Sequence, residues 1–258
     1  MDAVTPLSLR TPQRLVVLVC EVLKQEVETL AKDHPHIAAV EVLEMNLHET
    51  PLRLKETLCK KIVEVEALHR PDAVALVYGL CGCGLVGVRT QACPVVVARA
   101  HDCVTLFLGS KERYLQKQKD HPETYWYTPG WNKTARAPSP EKFAQLKEDF
   151  TKKFDEEEAE YLLDQERRGL QIYSTAAYVD LGIGESAEHE AYAKKCAEWM
   201  GWKFERETGD RSLLLDLLTG PWDDERFLIV PPGHEIQHSA DSMIMKAVPI
   251  SLEGQTPS

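Results

Sequence analysis

Three cysteines and one histidine have the chemistry of metal ligands, although they lie far apart in the chain. Cys20 closes an apolar run, Cys81 lies just past a second run, and Cys103 lies just past a third. His101 precedes the last of these cysteines by two residues. Thiolate sulfur and imidazole nitrogen are the donors that Zn²⁺ takes in a tetrahedral site. We therefore predict a metal centre, most simply a zinc site.

Two other interpretations of the same cysteines remain open. Three cysteines can hold an iron–sulfur cluster and leave one iron open to a substrate. Free cysteine is also among the most buried residue types, so a single cysteine in a core needs no function. Three cysteines in equivalent places, with a histidine beside one of them, favour a metal over simple burial. Cys59, Cys93 and Cys196 do not share this placement, and we expect these three to be structural.

Alternating strand and helix patterns explain how distant cysteines can meet. The predicted strands cover residues 14–20, 38–45, 73–78 and 94–99, and the predicted helices between them cover 21–33 and 50–69. This alternation predicts a parallel sheet with helices on both faces. Parallel strands all end at one edge, where open α/β sheets bind ligands, so the cysteines should meet there. If residues 100–103 stay extended, His101 and Cys103 point to the same side.

A glycine-rich loop, residues 78–87 (YGLCGCGLVG), surrounds the second cysteine. Glycines let the backbone turn tightly and come close to a ligand, and they expose N–H groups to an anion. We therefore predict that Gly79, Gly82 and Gly84 contribute to substrate binding. The loop would then present Cys81 and its neighbouring N–H groups to the substrate.

The same loop contains a GxGxxG string formed by Gly82, Gly84 and Gly87. After a strand, this string is typical of a dinucleotide-binding turn, and Asp102 lies at the distance of a ribose-binding acid. Only residues 85–93 separate the loop from the next strand, which is too short for the usual long helix. The string also follows the third strand rather than the first, so nucleotide binding is the less favoured alternative.

Four further polar residues are candidates for proton transfer or substrate contact. Glu21 and Asp102 adjoin the predicted ligands and could serve as general acid or base. Their structural alternatives are an acid in a first helical turn for Glu21 and a helix N-cap for Asp102. In the second half of the chain, Asp180 ends a predicted strand and His234 ends a Pro-Pro-Gly-His turn. Both are predicted to bind substrate at the metal edge, although such residues are often structural.

Beyond a charged helical stretch, the strand–helix alternation resumes. Predicted strands cover residues 172–180, 202–206 and 226–230, with predicted helices at 186–200 and 210–219. The fold class is thus α/β, with two Rossmann-like halves that have mainly parallel sheets flanked by helices. Residues 12–135 form the half with the Cys/His site, 136–169 a helical connector, 170–240 the second half and 241–258 a tail.

Composition excludes several classes of protein. The net charge of −11 argues against nucleic-acid binding, which needs a basic face for phosphates. No apolar run approaches the roughly 20 residues that span a bilayer, and residues 1–11 lack the pattern of a signal peptide. We therefore expect a cytoplasmic protein with no membrane partner, whose seven cysteines are reduced.

Five strings along the chain resemble a catalogued family. They are YGLCG-x-G, ARAHDCVTLFLGS, TYWYTPGW, AYVDLGIG and FLIVPPGH, in this order. Together they resemble the family called domain of unknown function 1638, over nearly the whole chain. The family occurs in anaerobes, often near corrinoid-dependent methyl-transfer systems, which implies a corrinoid protein as a partner. Cys20, Cys81, His101 and Cys103 match the family pattern, whereas the position of Cys83 is frequently not cysteine, which argues against Cys83 as a ligand.

These observations lead to one favoured function and two alternatives. The favoured function is a metal-dependent transferase that activates a small thiol or related substrate for methyl or sulfur transfer. A bound metal lowers the pKa of a thiol and makes thiolate available at neutral pH. The alternatives are an iron–sulfur enzyme on the same cysteines and a non-enzymatic protein that binds or delivers a metal or a corrinoid.

Overall fold

The computed structural model describes residues 11–134 and 136–250, and these divide into two compact units. Unit 1 consists of the chain up to Arg113 together with the chain from Asp210 onward, and unit 2 consists of Tyr114–Gly209. Residues 1–10, on which most of the signal-peptide prediction rests, and 251–258 of the predicted tail lie outside the described residues. No helix within the described ranges is long and apolar enough to cross a membrane.

Unit 1 is built on a five-stranded sheet. Its strands are β1 (Leu15–Cys20), β2 (Ile37–Leu43), β3 (Ala73–Val77), β4 (Val95–Ala98) and β8 (Phe227–Val230). Its helices are α1 (Lys24–Ala31), α2 (Pro51–His69), α3 (Cys103–Leu108) and α9 (Ser212–Thr219), with short 3₁₀ segments at Glu21–Leu23 and Met45–Glu49. A hairpin of β9 (His234–His238) and β10 (Met245–Pro249) completes the described part of this unit. Every residue of β1, β3 and β4 is buried, as expected of parallel strands covered on both faces.

The order of strands in this sheet is β2-β1-β3-β4-β8. The first four are parallel, so their carboxyl ends share one edge. The chain places β2 on one side of β1 and then crosses over to place β3 and β4 on the other side. The strand order therefore reverses between β1 and β3, and such a switch point opens a crevice at the carboxyl edge of the sheet.

The helix α2 shows how the sequence positions this sheet. Pro51 occupies its first turn, where a missing N–H costs nothing, and Arg70 ends it in the left-handed conformation with φ 45°. Between these ends, Leu54, Leu58 and Ile62 recur at helical spacing and are fully buried. The observed bounds agree with the predicted helix 50–69.

Unit 2 contains a second, smaller parallel sheet in the order β5-β6-β7. Its strands are β5 (Thr124–Tyr127), β6 (Thr175–Asp180) and β7 (Lys203–Thr208). Its helices are α5 (Pro129–Lys133), α6 (Pro140–Thr151), α7 (Glu156–Gly169) and α8 (Ser186–Met200), and α4 (Lys111–Asp120) crosses the boundary between the units along the chain. One face of the sheet carries an aromatic and small-residue core that includes Tyr127, Tyr178 and Cys196.

The predicted fold class is confirmed, because both main sheets are largely parallel and flanked by helices. The boundaries differ from the predicted 12–135 and 170–240. The sequence places β8 in the second half, but it pairs antiparallel with β4 in unit 1. The sequence places β5 in the first half, but it pairs with β6 in unit 2. An apolar run indicates that a strand is buried without indicating its partner, so strand pairing across the chain could not be read from the pattern.

The connector and the tail also differ from the prediction. Residues 136–169 contain two helices, as their composition indicates, but both belong to unit 2 rather than joining two halves. Part of the predicted tail forms β10, which pairs antiparallel with β9 in a separate two-stranded sheet. Its alternation of polar and apolar residues is too short to predict a strand from the sequence.

Candidate metal centre

The three predicted cysteine ligands meet at the carboxyl edge of unit 1. Cys20 is the last residue of β1, Cys81 follows β3, and Cys103 is the first residue of α3, shortly after β4. Their sulfurs lie close enough to interact electrostatically, since Cys20 raises the pKa of Cys81 and both raise the pKa of Cys103. The cluster therefore lies at the switch point between β1 and β3, which is where the topology of the sheet opens a crevice.

Close backbone contact holds the second and third cysteines together. The N–H of Leu80 donates to the carbonyl of Ala100 at 2.9 Å, and the N–H of Cys81 donates to the carbonyl of His101 at 3.0 Å. A Cβ added to Gly79 would lie 2.4 Å from the Cα of Asp102. Only glycine therefore lets this loop lie against residues 100–103.

The loop itself has an unusual backbone. Cys81, Gly82 and Cys83 all have positive φ angles, of 45°, 63° and 70°. For a residue with a Cβ this conformation costs about 1–2 kcal/mol, so the two cysteines are held in a strained turn. The turn leaves Cys83 exposed, while Cys81 is partly buried.

Burial keeps the clustered thiols protonated. Desolvation is the largest cause that raises the pKa of Cys20 to about 11 and that of Cys81 to about 12, and it also raises the pKa of Cys103. The neighbouring thiols and Asp102 add to this rise for Cys81 and Cys103. At neutral pH the cluster therefore holds neutral thiols, which are poor nucleophiles.

Backbone N–H groups partly offset this rise. The N–H groups of Gly79 and Cys103 donate to the sulfur of Cys81 and lower the pKa of that thiol. The N–H of Val22 donates to the sulfur of Cys20 and lowers its pKa in the same way. N–H groups turned towards sulfur in this way are typical of concave anion and iron–sulfur sites. These N–H groups would stabilise thiolates, but the pKa values stay above neutral pH. A bound cation would be needed to displace the protons at that pH.

Residues 42–218 match the model of a family described as "Protein of unknown function (DUF1638)", which is more than half of the chain. The chain belongs to the DUF1638 family. Comparison with curated proteins and with solved structures gave no match. The matched range of this DUF1638 protein includes Cys81, His101 and Cys103, whereas Cys20 precedes it.

His101 lies between β4 and α3, and the extended path on which its predicted pairing with Cys103 depends continues to the next residue. Asp102 still has extended backbone angles, with φ −150° and ψ −179°, and α3 begins only at Cys103. The role of His101 as a ligand therefore stays a prediction. The described contact of His101 with the cluster is its carbonyl, which accepts the N–H of Cys81.

The cysteines are also not arranged as a preformed metal site. Within residues 11–134 and 136–250, no three side chains of His, Cys, Asp or Glu are placed so that they could share one metal ion. The donor set has the sulfur chemistry that zinc prefers, but the side chains would have to reorient to share an ion. The prediction that Cys20, Cys81, His101 and Cys103 bind metal thus remains a prediction in this DUF1638 protein.

The two candidate proton-transfer residues both have structural roles. The carboxylate of Asp102 accepts N–H groups of Val104 at 3.0 Å and Thr105 at 3.4 Å and so caps α3. Glu21 is exposed, lies in the 3₁₀ turn after Cys20, and accepts the N–H of Met45 at 3.4 Å. These are the structural alternatives that the sequence left open, and neither contact excludes a role in proton transfer.

Replacing Asp102 tests its capping role apart from its charge. We expect Asp102→Ala to lower the free energy of unfolding by about 1 kcal/mol, because two N–H groups at the start of α3 lose their acceptor. Asp102→Asn should cost only a few tenths of a kcal/mol, since an amide oxygen caps a helix about as well as a carboxylate. Chemical denaturation of both variants measures the difference. Equal losses in the two variants would show that the charge, rather than the cap, stabilises the fold.

The glycine-rich loop does not form a dinucleotide-binding turn. No helix follows Gly87 before β4, as the short spacing of residues 85–93 indicated. Gly84 faces α2, since an added Cβ would lie 2.6 Å from the side chain of Leu54. An added Cβ at Gly82, in contrast, would meet nothing within 4 Å. Of the three glycines predicted to bind substrate, Gly79 and Gly84 are therefore packed against protein, and Gly82 alone is open.

The structure places His234 away from the thiols. β8 is antiparallel to β4, with Val230 beside Val95, so residues after β8 emerge at the amino edge of the sheet. There the carbonyl of His234 accepts the N–H of Thr90 at 3.3 Å. His234 therefore lies at the opposite edge from the one expected if both halves shared an architecture, and its predicted contact with substrate remains a prediction.

Asp180 belongs to unit 2 and organises its own loop. Its carboxylate accepts the N–H of Gly182 and the hydroxyl of Ser186 at 2.7 Å, and it pairs with Arg206 at 3.6 Å. The residue is buried at the end of β6. These contacts give Asp180 a structural role, and its predicted contact with substrate remains a prediction.

Sequence reasoning did not identify Tyr78, the first residue of the glycine-rich loop, as part of the cluster. Its side chain is 2% exposed and interacts electrostatically with Cys20 and Cys81. The available signal was a tyrosine in an apolar strand next to a predicted ligand. That signal alone does not separate it from a core aromatic residue, whose hydroxyl normally finds a partner.

The three cysteines expected to be structural do not belong to the cluster. Cys59 lies in α2 and donates to the carbonyl of Gly87 at 3.8 Å, and Cys93 lies beside Glu66 at the amino edge. Cys196 is fully buried in the core of unit 2. Their positions agree with the expected structural role.

Proposed function

We propose that this DUF1638 protein is a metal-dependent transferase whose centre is held by the sulfurs of Cys20, Cys81 and Cys103, with zinc as the metal. One observation carries the proposal: three thiols from three separate strand ends interact at the switch point of the unit 1 sheet. Ligands bind at such crevices in open α/β folds.

The chemistry of the donors supports a thiophilic metal. If the three buried thiols lost their protons, the resulting thiolates would repel one another. A divalent cation bound to the sulfurs would displace the protons and offset this repulsion. N–H groups already turned towards Cys20 and Cys81 stabilise the resulting thiolates. The side chains would have to rotate to share an ion; Gly82 has open space around it and Cys83 is exposed, so this turn leaves room for such an adjustment.

The favoured reaction is methyl or sulfur transfer involving a small thiol. A bound zinc ion lowers the pKa of a substrate thiol that coordinates it, so that the substrate is a thiolate at neutral pH. With three sulfur ligands, a fourth position stays available to that thiol. The family's association with corrinoid systems supports a methyl-corrinoid protein as the donor, and Glu21, at the exposed end of β1, would accept the proton of the thiol.

Elemental analysis of anaerobically purified protein tests the centre itself. We expect about one zinc ion per chain in the wild type and a stoichiometry near zero for Cys103→Ser, because structural and catalytic zinc sites depend on each sulfur ligand. Cys196→Ser is the matched control, since Cys196 is equally a free cysteine but lies in the core of unit 2. It should retain the wild-type metal content.

The outcomes separate the proposal from its rivals. Wild-type protein without stoichiometric metal overturns the metal centre altogether. A brown protein that contains iron and sulfide in place of zinc would instead establish the iron–sulfur alternative on the same cysteines. Equal zinc in wild type and Cys103→Ser would place the metal elsewhere.

The enzymatic part of the proposal needs its own measurement. Zinc-loaded protein incubated with methylcobalamin and 2-mercaptoethanol should form the methyl thioether, while the cobalt–carbon bond breaks and the thiol proton is released. Cys81→Ser should abolish this turnover. Tight metal binding without any thioether would identify a protein that binds or delivers metal rather than a transferase.

A further inference from the structure

A cavity of about 200 Å³ in unit 1 is lined by two buried cationic side chains. It lies between the end of β4, the first turn of α4 and the loop that precedes β8. Arg99 and Lys111 both line it, although these residues are only 6% and 8% exposed. A buried charge is costly unless an opposite charge or strong hydrogen bonds compensate it, so two buried cations at one cavity need an explanation.

The guanidinium of Arg99 is held in place but keeps part of its hydrogen-bonding capacity. Its Nε donates to the carbonyl of Asp224 at 2.7 Å, and its Nη1 donates to the carbonyls of Met243 and Met245. Within residues 11–134 and 136–250, Nη2 has no hydrogen-bond partner. The carboxylates of Asp224 and Asp241 interact with its charge only from beyond ion-pair distance. Arg99 therefore has two N–H groups and an incompletely neutralised charge to offer to the cavity.

Lys111, the first residue of α4, is the second buried cation. Its Nζ donates to the carbonyl of Glu225 at 3.0 Å and lies 3.7 Å from a carboxylate oxygen of Glu112. The side chain of Glu112 is 66% exposed, and it also accepts the hydroxyl of Ser110 at 2.8 Å. A buried ammonium thus has as its ion-pair partner a carboxylate that lies mainly in solvent.

The other charged residues of the lining do not neutralise these two cations. Arg226 is already paired with Asp216 and Asp223. Glu225 gives its carbonyl to Lys111, but the residue itself is exposed to solvent. The available charge of the cavity is therefore positive and comes from its two buried cations.

The pKa of Glu112 indicates that the first turn of α4 favours negative charge. Partial burial acts to raise this pKa, but the hydroxyl of Ser110, the N–H of Glu112 itself and the charge of Lys111 lower it overall. The N–H groups at the start of a helix also carry partial positive charge. The Glu112 carboxylate thus lies where an external anion would also be stabilised.

We infer that this cavity binds a phosphate group, either free or part of a small molecule, between the guanidinium of Arg99 and the ammonium of Lys111. The phosphate would displace the carboxylate of Glu112 towards solvent. Arginine and lysine are common partners of phosphate oxygens, and a helix N-terminus adds N–H donors. A phosphate has oxygens for several donors at once, whereas a carboxylate has only two. The inference does not depend on the proposed metal centre, because no residue of the lining is a predicted ligand.

Calorimetric titration with inorganic phosphate tests the inference, with Lys111→Gln as the main variant. The amide lacks the charge of the ammonium, so this variant should bind phosphate about tenfold or more weakly than the wild type. Lys119→Gln is the matched control, because Lys119 lies in the last turn of the same helix and is exposed. It should bind phosphate as the wild type does. Thermal unfolding without phosphate establishes that each variant is folded.

Glu112→Gln tests the inference in the opposite direction. The amide keeps the size of the side chain but removes the charge that competes with the phosphate, so affinity should rise about two- to fivefold. Because the side chain of Glu112 is exposed, this variant should fold even if Lys111→Gln does not. Unchanged or weaker phosphate binding by Glu112→Gln would contradict the inference.

Further outcomes of the titration are equally decisive. The inference is overturned by wild-type protein without saturable binding up to about 10 mM phosphate, or by an equal loss of affinity in Lys111→Gln and Lys119→Gln. Acetate binding as tightly as phosphate would also overturn it, because the cavity would then take a carboxylate. Glycerol phosphate distinguishes the two sources of the group. Tighter binding of this ester supports a phosphorylated small molecule, and tighter binding of the inorganic ion supports free phosphate.

Discussion

Replacing Gly79 by alanine is expected to lower the free energy of unfolding by about 3 kcal/mol or more and to abolish metal binding. The added Cβ would lie 2.4 Å from the Cα and 2.5 Å from the carbonyl carbon of Asp102. Both neighbours are backbone atoms, which cannot rotate away as a side chain can. The loop must therefore move, and it carries Cys81 away from Cys103.

Movement of the loop also breaks two backbone hydrogen bonds. These join Leu80 to Ala100 and Cys81 to His101, at 2.9 and 3.0 Å. Chemical denaturation gives the loss of stability, and elemental analysis of the folded variant gives the metal content. We expect the stability and the metal content to fall together. The same backbone contact, between Gly79 and Asp102, holds the fold at the carboxyl edge of the sheet and sets the spacing of the sulfurs.

Gly82→Ala is the matched control for this prediction. Gly82 lies in the same loop, and an added Cβ would meet nothing within 4 Å. Its φ of 63° makes alanine cost about 1 kcal/mol there, without any collision. This variant should keep its metal. If Gly79→Ala were no less stable than Gly82→Ala, the close approach to Asp102 would not be what fixes the loop.

The arrangement around Gly79 shows how much of the site the sequence contains. Apolar runs before Cys20, Cys81 and Cys103 predicted parallel strands, and parallel strands must end at one edge. The meeting of these three residues therefore followed from periodicity and topology alone. The switch point between β1 and β3 did not, because it depends on the order of strands in space, which no local pattern records.

The unpredicted features depend on contacts between distant parts of the chain. The short helix α3 begins at Cys103, where Asp102 caps it, so the extended segment that the sequence indicated for residues 100–103 stops before Cys103. β8 joins β4 as an antiparallel strand, which sends His234 to the opposite edge.

Replacing Glu66 by alanine should lower the free energy of unfolding by about 3–5 kcal/mol and leave the metal in place. Glu66 lies near the end of α2, is 7% exposed, and is hydrogen-bonded at one carboxylate oxygen by several donors. These are the hydroxyl of Thr90 at 2.8 Å and the N–H groups of Ala92 and Cys93, each at 3.1 Å. Alanine would leave the N–H groups of Ala92 and Cys93 without an acceptor, at about 1–3 kcal/mol each, whereas the hydroxyl of Thr90 can still donate to the carbonyl of Cys93.

Glu66→Gln separates the loss of an acceptor from the loss of volume. An amide oxygen can still accept from the three donors, although more weakly than a carboxylate, so this variant should lose about 1–2 kcal/mol. Chemical denaturation of both variants provides the comparison. A loss in Glu66→Ala no larger than that in Glu66→Gln would show that the buried donors find another acceptor.

The location of Glu66 makes its variants informative about the metal as well. The contacts of Glu66 fix residues 90–93 at the amino edge of the sheet, where β4 begins, whereas the thiols lie at the carboxyl edge. A variant that is less stable but still folded should therefore keep its zinc, in contrast to Gly79→Ala with a comparable loss of stability. Loss of zinc from both variants would mean that metal content follows global stability, and the geometry of the Cys81 loop would then have no separate role.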